Sequence, residues 1–138
     1  MADPLLSLLR EWCGKANEDL TAAQVLAERD LHGVALFHCQ QAVEKAIKAY
    51  LLFHEQDVPK THDLVRLINL ASEMDHRWSD WLELGDVLTQ YAVEVRYPGA
   101  GNQAVDECGD SIDRTRQLLH TVAALIPSEA TLGFEGFR

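Results

Sequence analysis

The 138-residue chain is poor in the features that most often announce a chemistry. It has three cysteines, Cys13, Cys39 and Cys108, widely separated and without a CxxC pair. That excludes a disulfide framework or a cysteine zinc site and points to a reducing compartment. No HExxH or comparable spacing occurs among His32, His38, His54, His62, His76 and His120, so no metal is expected. Glycine-rich phosphate loops of the GxGxxG and GxxxxGK[ST] kinds are missing, so any nucleotide site must be built from helix side chains and no cofactor is expected. No apolar run approaches the roughly 18 residues of a membrane span. The opening ADPLLSLLREW carries acid where a signal peptide needs a basic start, which predicts a cytoplasmic protein without membrane association. Sustained strand alternation, internal repeats and low-complexity tracts are also lacking.

Positive charge is scarce as well. Twelve Lys and Arg face 22 Asp and Glu, a net charge of −10, which excludes broad nucleic-acid binding driven by phosphate neutralisation. The balance is uneven. Residues 45–66 set four basic side chains against three acidic ones, a local +1, whereas 67–113 set two against ten, a local −8. An anion could be held at one place rather than along a surface. A hydrophobic content of 47% suits one domain with a sizeable core.

The periodicity is helical throughout. A first helix is expected over about Leu5–Arg29, with Trp12, Ala16, Leu20, Ala23 and Leu26/Ala27 inward and a break at Asp30, His32 and Gly33. A second covers about Val34–His54 and stops before Asp57-Val58-Pro59. Thr61 is the expected N-cap of a third, short helix with Asp63 at its second position, ending near Glu73. A fourth opens near Ser79, with Trp81, Leu84, Leu88, Tyr91/Ala92 and Val95 on one face, and ends at Arg96-Tyr97-Pro98-Gly99. The fifth runs over about Gln103–Ile126 with Val105, Cys108, Ile112, Thr115, Leu118/Leu119, Val122 and Leu125 inward, and Pro127 stops it. The expectation is an all-α, up-and-down bundle of four long helices and one short one over residues 1–127, followed by a tail at 128–138 that is either mobile or docked.

The second helix carries the chemistry. At about 100° per residue, Lys48, Lys45, Phe37 and Glu44 all fall within about 60° of Gln41, opposite the apolar set around Ala42, Val43 and Ile47. Phe37 and Leu52 inside a charged stripe suggest a face half exposed, in a cleft or against a partner. The plainer reading makes Gln41–Lys45 and Glu44–Lys48 ordinary i,i+4 pairs on a solvated face, and both readings stand. Arg96 likewise reads either as a cation at a helix C-terminus or as an anion ligand. His62 reads as a helix-start residue packing on the second helix, ahead of a catalytic role. Trp12, Trp78 and Trp81 read as core or interface anchors, because Trp78 and Trp81 sit among Asp75, Asp80 and Glu83.

The run QQAVEKAIKAYLL, followed after a Pro loop by THDL and later by RYPG, resembles the HEPN family of small helical proteins, over roughly Ala16 to Leu125. The resemblance implies a five-helix bundle, commonly a homodimer, associated with nucleotides or RNA. Many members pair with small nucleotidyltransferases, in toxin–antitoxin-like systems among others. Other members are metal-independent ribonucleases with Arg-x(4–6)-His near the end of the fourth helix. Here the His expected after Arg96 would fall at Gly101, Asn102 or Gln103. Metal-free cleavage needs a group to take the 2′-OH proton and a cation for the phosphorane, so Arg96 without that His keeps anion binding and loses proton transfer. Tyr97 and His62 are the residual proton-transfer candidates. Arg114…His120 matches the motif formally, but the two lie roughly 120° apart on the fifth helix and are not expected to converge on one phosphate.

The expected site is therefore Gln41, Glu44, Lys45, Lys48, Arg96 and Tyr97 holding a nucleotide or RNA phosphate, supported by His62 and Asp63, with no catalytic residue. A ribonuclease with an atypical proton-transfer group and a purely structural interaction module are the alternatives.

Overall fold

The computed structural model describes residues 3–92 and 103–138. Over these residues the chain is helical: α1 Pro4–Glu28, α2 His32–Phe53, α3 Leu64–Ser72, a 3₁₀ segment His76–Trp81 running into α4 Leu82–Thr89, a 3₁₀ turn Gln90–Ala92, and α5 Gln103–Leu125. Two further 3₁₀ turns, Ser128–Ala130 and Glu135–Phe137, lie in the tail.

Local chemistry sets most of the ends. Asp3 caps α1 by accepting from the Leu5 and Leu6 amides, with Pro4 at the first helical position. α1 closes with Asp30 in the left-handed region at φ 60°, its amide donating to Ala27 O while Leu31 N donates to Leu26 O. α2 closes the same way at Glu55, φ 57°, with Glu55 N donating to Leu52 O and Gln56 N to Leu51 O. Both are Schellman closures, built on acidic residues where glycine is usual. The break between α1 and α2 is thus shorter than expected, and His32 and Gly33 begin α2 rather than preceding it. Asp63, not Thr61, caps α3: its carboxylate accepts from Arg66 N, and the Thr61 hydroxyl accepts from Asp63 N.

The fourth expected helix differs most. Asp75 caps a 3₁₀ segment that starts at His76, and regular α-helix begins only at Leu82. The physical reason is Trp78, which is drawn into the core at 2% exposure and packs on Tyr50 with ring centroids 4.9 Å apart. Its far end, including Arg96, Tyr97 and Val95, lies outside the described residues. Only α1, α2 and α5 are long among those residues.

α2 is the central element. It packs on α1, α3, α4 and α5, and its largest interface is with α1. Both helices bury small side chains, Ala16 and Ala23 on α1 and Ala35, Cys39, Ala42, Ala46 and Ala49 on α2. Small residues at a crossing let two helices approach closely. Leu9, Leu20, Leu36, Ile47, Leu51, Leu64, Leu67, Ile68, Leu88, Leu118 and Leu119 complete the core. Val105, expected inward, is 57% exposed, because the buried stripe of α5 starts at Cys108. No helix among the described residues is long and apolar enough to cross a membrane.

The tail docks on the bundle. Arg10 donates from Nη1 to the carbonyls of Glu129 (2.7 Å) and Leu132 (3.1 Å), and its guanidinium lies 4.6 Å from the Phe134 ring centroid. Gly136 N donates to Asn17 Oδ1 at 2.7 Å, and Phe137 is buried at 3% exposure. A side chain with a Cβ costs roughly 1–2 kcal/mol in the left-handed conformation. Glu55→Gly is therefore expected to stabilise the fold by about 1 kcal/mol in chemical denaturation; an unchanged or lowered midpoint would show that Glu55 makes a compensating contact.

Candidate functional site

Among the described residues six polar side chains are buried, and three of them, Gln40, Glu44 and Lys48, lie within three turns of α2. They are joined through one carboxylate. Glu44 Oε1 accepts from Gln40 Nε2 at 3.1 Å and faces His62 Nδ1 at 2.7 Å, while Oε2 accepts from Lys48 Nζ at 3.1 Å. Gln40 Nε2 also donates to His62 O, and Gln41 Nε2 donates to Gln40 Oε1. Because the carboxylate can only accept, Nδ1 of His62 must carry a proton in this contact, while Nε2 accepts in the neutral ring and donates in the imidazolium. The Glu44 side chain is 6% exposed and that of Lys48 9%, whereas the His62 side chain is 69% exposed. The network thus runs from the middle of the bundle to the surface at the α2–α3 loop. The Lys48 ammonium also lies 5.9 Å from the Trp12 ring centroid, tying it to α1.

A second carboxylate does the same on α1. Asp19 Oδ2 accepts from Lys45 Nζ at 2.5 Å, and Oδ1 lies 2.9 Å from His38 Nδ1. Each buried acid is thus met by one lysine from α2 and one histidine. Such an arrangement is what a low-dielectric interface demands, since an unpaired buried charge is strongly destabilising.

Of the expected site residues, Gln41, Glu44, Lys48 and His62 are brought into one network. Lys45 belongs to the Asp19 cluster and also borders a cavity of about 510 Å³ along α1 with Trp12, Lys15 and Glu18. Asp63 caps α3 directly after His62. Arg96 and Tyr97 lie outside the described residues. The positive charges of Lys45 and Lys48 are each matched by a carboxylate rather than displayed openly. Phe37, Gln41, Lys45 and Leu52 are the half-buried members of the stripe. Sequence reasoning missed Asp19, His38 and Gln40. Asp19 did leave a signal, an acid between Ala16 and Leu20/Ala23 on the apolar face of α1.

Arg114 and His120, which were not expected to converge, both line a single cavity of about 560 Å³ between α5 and the His76–Trp81 segment. At its rim Arg77 grips Asp75 with two parallel bonds, Nε to Oδ1 at 3.0 Å and Nη2 to Oδ2 at 2.7 Å. This fork holds the Asp75 carboxyl down at about 2, against its ordinary 3.8, and the Arg77 guanidinium is raised in turn. The thiols of Cys13 and Cys39 are pushed up to about 12 by burial, and Cys108 is raised for the same reason, so all three stay protonated near neutral pH. Among the described residues no group of three or more His, Cys, Asp or Glu side chains could hold a metal ion.

The model of the HEPN domain matches residues 9–125, most of the chain, and the chain belongs to the HEPN domain family. At the level of the family this supports a module concerned with nucleotides or RNA. No curated protein and no solved structure matches the chain.

A depressed carboxyl contributes stability above its unfolded value and loses it as pH falls through its folded value. Asp75→Asn is expected to melt below the wild type at pH 5–7, with the gap closing between about pH 4 and about pH 2. A gap that persists unchanged at pH 2 would mean that the Arg77 fork does not act through the Asp75 charge.

Proposed function

We propose that this protein is a non-catalytic HEPN module that binds a nucleotide or RNA phosphate, and that it acts as the helical partner of a small nucleotidyltransferase in a toxin–antitoxin-like pair. The single observation that carries the reading is the anchored imidazole of His62. A buried carboxylate fixes one of its nitrogens and the ring stands at the surface, beside the capped start of α3. With both nitrogens protonated, the ring turns an Nε2–H outward, a preorganised contact for an oxyanion. The basic excess of residues 45–66 surrounds it in sequence, and Arg96 and Tyr97 are assigned to the same ligand from the sequence pattern. The lysines of α2 act behind it: Lys48 neutralises the carboxylate that positions His62, and Lys45 does the same for Asp19. Absence of His at 101–103 argues against the family's ribonuclease chemistry.

One observation favours a second reading. A carboxylate that fixes the Nδ1–H tautomer leaves Nε2 as a proton acceptor, the arrangement of a general base. His62 with Arg96 could then cleave RNA without metal.

Thermal unfolding against a nucleotide panel and a short RNA, with wild type, His62→Ala and Arg96→Ala, separates these. A ligand at 100 times its dissociation constant adds roughly 2.7 kcal/mol, enough to move the midpoint by several degrees. The expected result is a shift in wild type, lost in Arg96→Ala and reduced in His62→Ala, with intact RNA in EDTA. RNA cleavage that disappears in both variants would replace binding with catalysis. No shift with any ligand would leave a structural interaction module.

A further inference from the structure

The cavity between α5 and the His76–Trp81 segment is separate from the α2 network and has its own chemistry. Its volume, about 560 Å³, falls in the range of small-molecule sites. Ala124 and Leu125 give it apolar surface, Gln117 and Thr121 neutral hydrogen-bonding groups, and Arg114 and His120 positive or protonatable ones. Two observations point to an occupant. The first is Trp78, which lines the cavity at 2% exposure and whose indole Nε1–H is buried without an acceptor among the described residues. Buried donors are satisfied in nearly all proteins, and because this nitrogen has almost no accessible surface, an acceptor in the cavity meets it only if the Trp78 ring shifts. The second is Arg114. Its guanidinium lies on the Trp81 ring, 4.9 Å from the centroid, and its one hydrogen bond is a long 3.5 Å contact to the Asp80 carbonyl.

Among the described residues Arg114 has no ion-pair partner, although Glu83 and Asp110 border a smaller cavity on its other side. Two acids, Asp75 and Asp80, also line the cavity, and Asp75 is neutralised by Arg77. A guanidinium stacked by its face still presents its N–H edge, and it can stack a second flat group.

We infer that this cavity binds a small planar aromatic molecule carrying one oxyanion, the flat body continuing the Trp81–Arg114 stack and the anion meeting Arg114 and His120. The oxyanion is a carboxylate or a phosphate, chemistries that Arg114 serves equally well.

The test uses 2-naphthoate, 2-naphthyl phosphate and the neutral 2-naphthamide as probes, titrated into the full chain. The readout is the indole ¹H–¹⁵N signals of Trp12, Trp78 and Trp81, assigned with Trp→Phe variants. Saturable movement of the Trp78 and Trp81 signals with an anionic probe, at a dissociation constant below about 1 mM and with Trp12 unmoved, is the expected result. The tighter anion names the oxyanion. Arg114→Met is expected to weaken the anionic probes by at least about tenfold and the neutral one, which loses only its stacking partner, by less. Ala124→Trp, at an exposed wall position, keeps the proposal decidable if Arg114→Met fails to fold, and is expected to block all three. No saturable shift, equal affinity for the neutral probe, an equal response at Trp12, or full binding in a folded Arg114→Met or Ala124→Trp would overturn the assignment.

Discussion

A carboxylate placed in the middle of a buried helix must be met by donors from every side, and Glu44 is met by three. Gln40 and Lys48 come from the turns before and after it on α2, and His62 comes from the loop leading to α3. This one requirement organises much else. It accounts for a lysine at 7% exposure, for a fully buried glutamine whose second hydrogen bond reaches the His62 carbonyl, and for the path of the chain from α2 to α3. The cap of α3 follows immediately, at Asp63. Asp19 poses the same requirement at the α1–α2 interface, with Lys45 and His38 as the answer. Only the Asp19 cluster spans α1 and α2 in this way.

The consequence for function is a division of labour within one stripe. Lysines that look like phosphate ligands in the sequence are engaged with acids, so in the proposed reading they serve a ligand by positioning and neutralising rather than by display. In the proposed reading, contact with an anion falls to groups at the edge of the network, His62 above all, and to Arg96. This suits a chain with a net charge of −10, in which an anion site has to be local.

The helices of this family member were legible because their apolar spacing is strong: Ala16, Leu20 and Ala23 on α1 and the alanine-rich face of α2 lie where the periodicity puts them. Glu44 and Lys48 were recognisable as a pair by their i,i+4 spacing, but a spacing carries no information on burial. The half-apolar character of the stripe was the one hint. Gln40 stands at the same i,i+4 spacing from Glu44, but its second partner, a carbonyl 22 residues on, is its neighbour in no sequence pattern. The 3₁₀ start at His76 was also out of reach, since it follows from Trp78 packing on Tyr50, a contact between distant segments. Arg114 and His120 share a cavity even though they point apart in helical projection, because the opposing wall is wide enough to be reached from both.

The most direct test of the Glu44-centred account is a double-mutant cycle of Glu44→Gln and Lys48→Met, measured by denaturant unfolding. If the buried pair is the constraint on which α2 depends, the two substitutions couple by about 1–3 kcal/mol, and the double variant loses less stability than the sum of the singles. Losses that add to within about 0.3–0.5 kcal/mol would show two independent side chains and contradict the account.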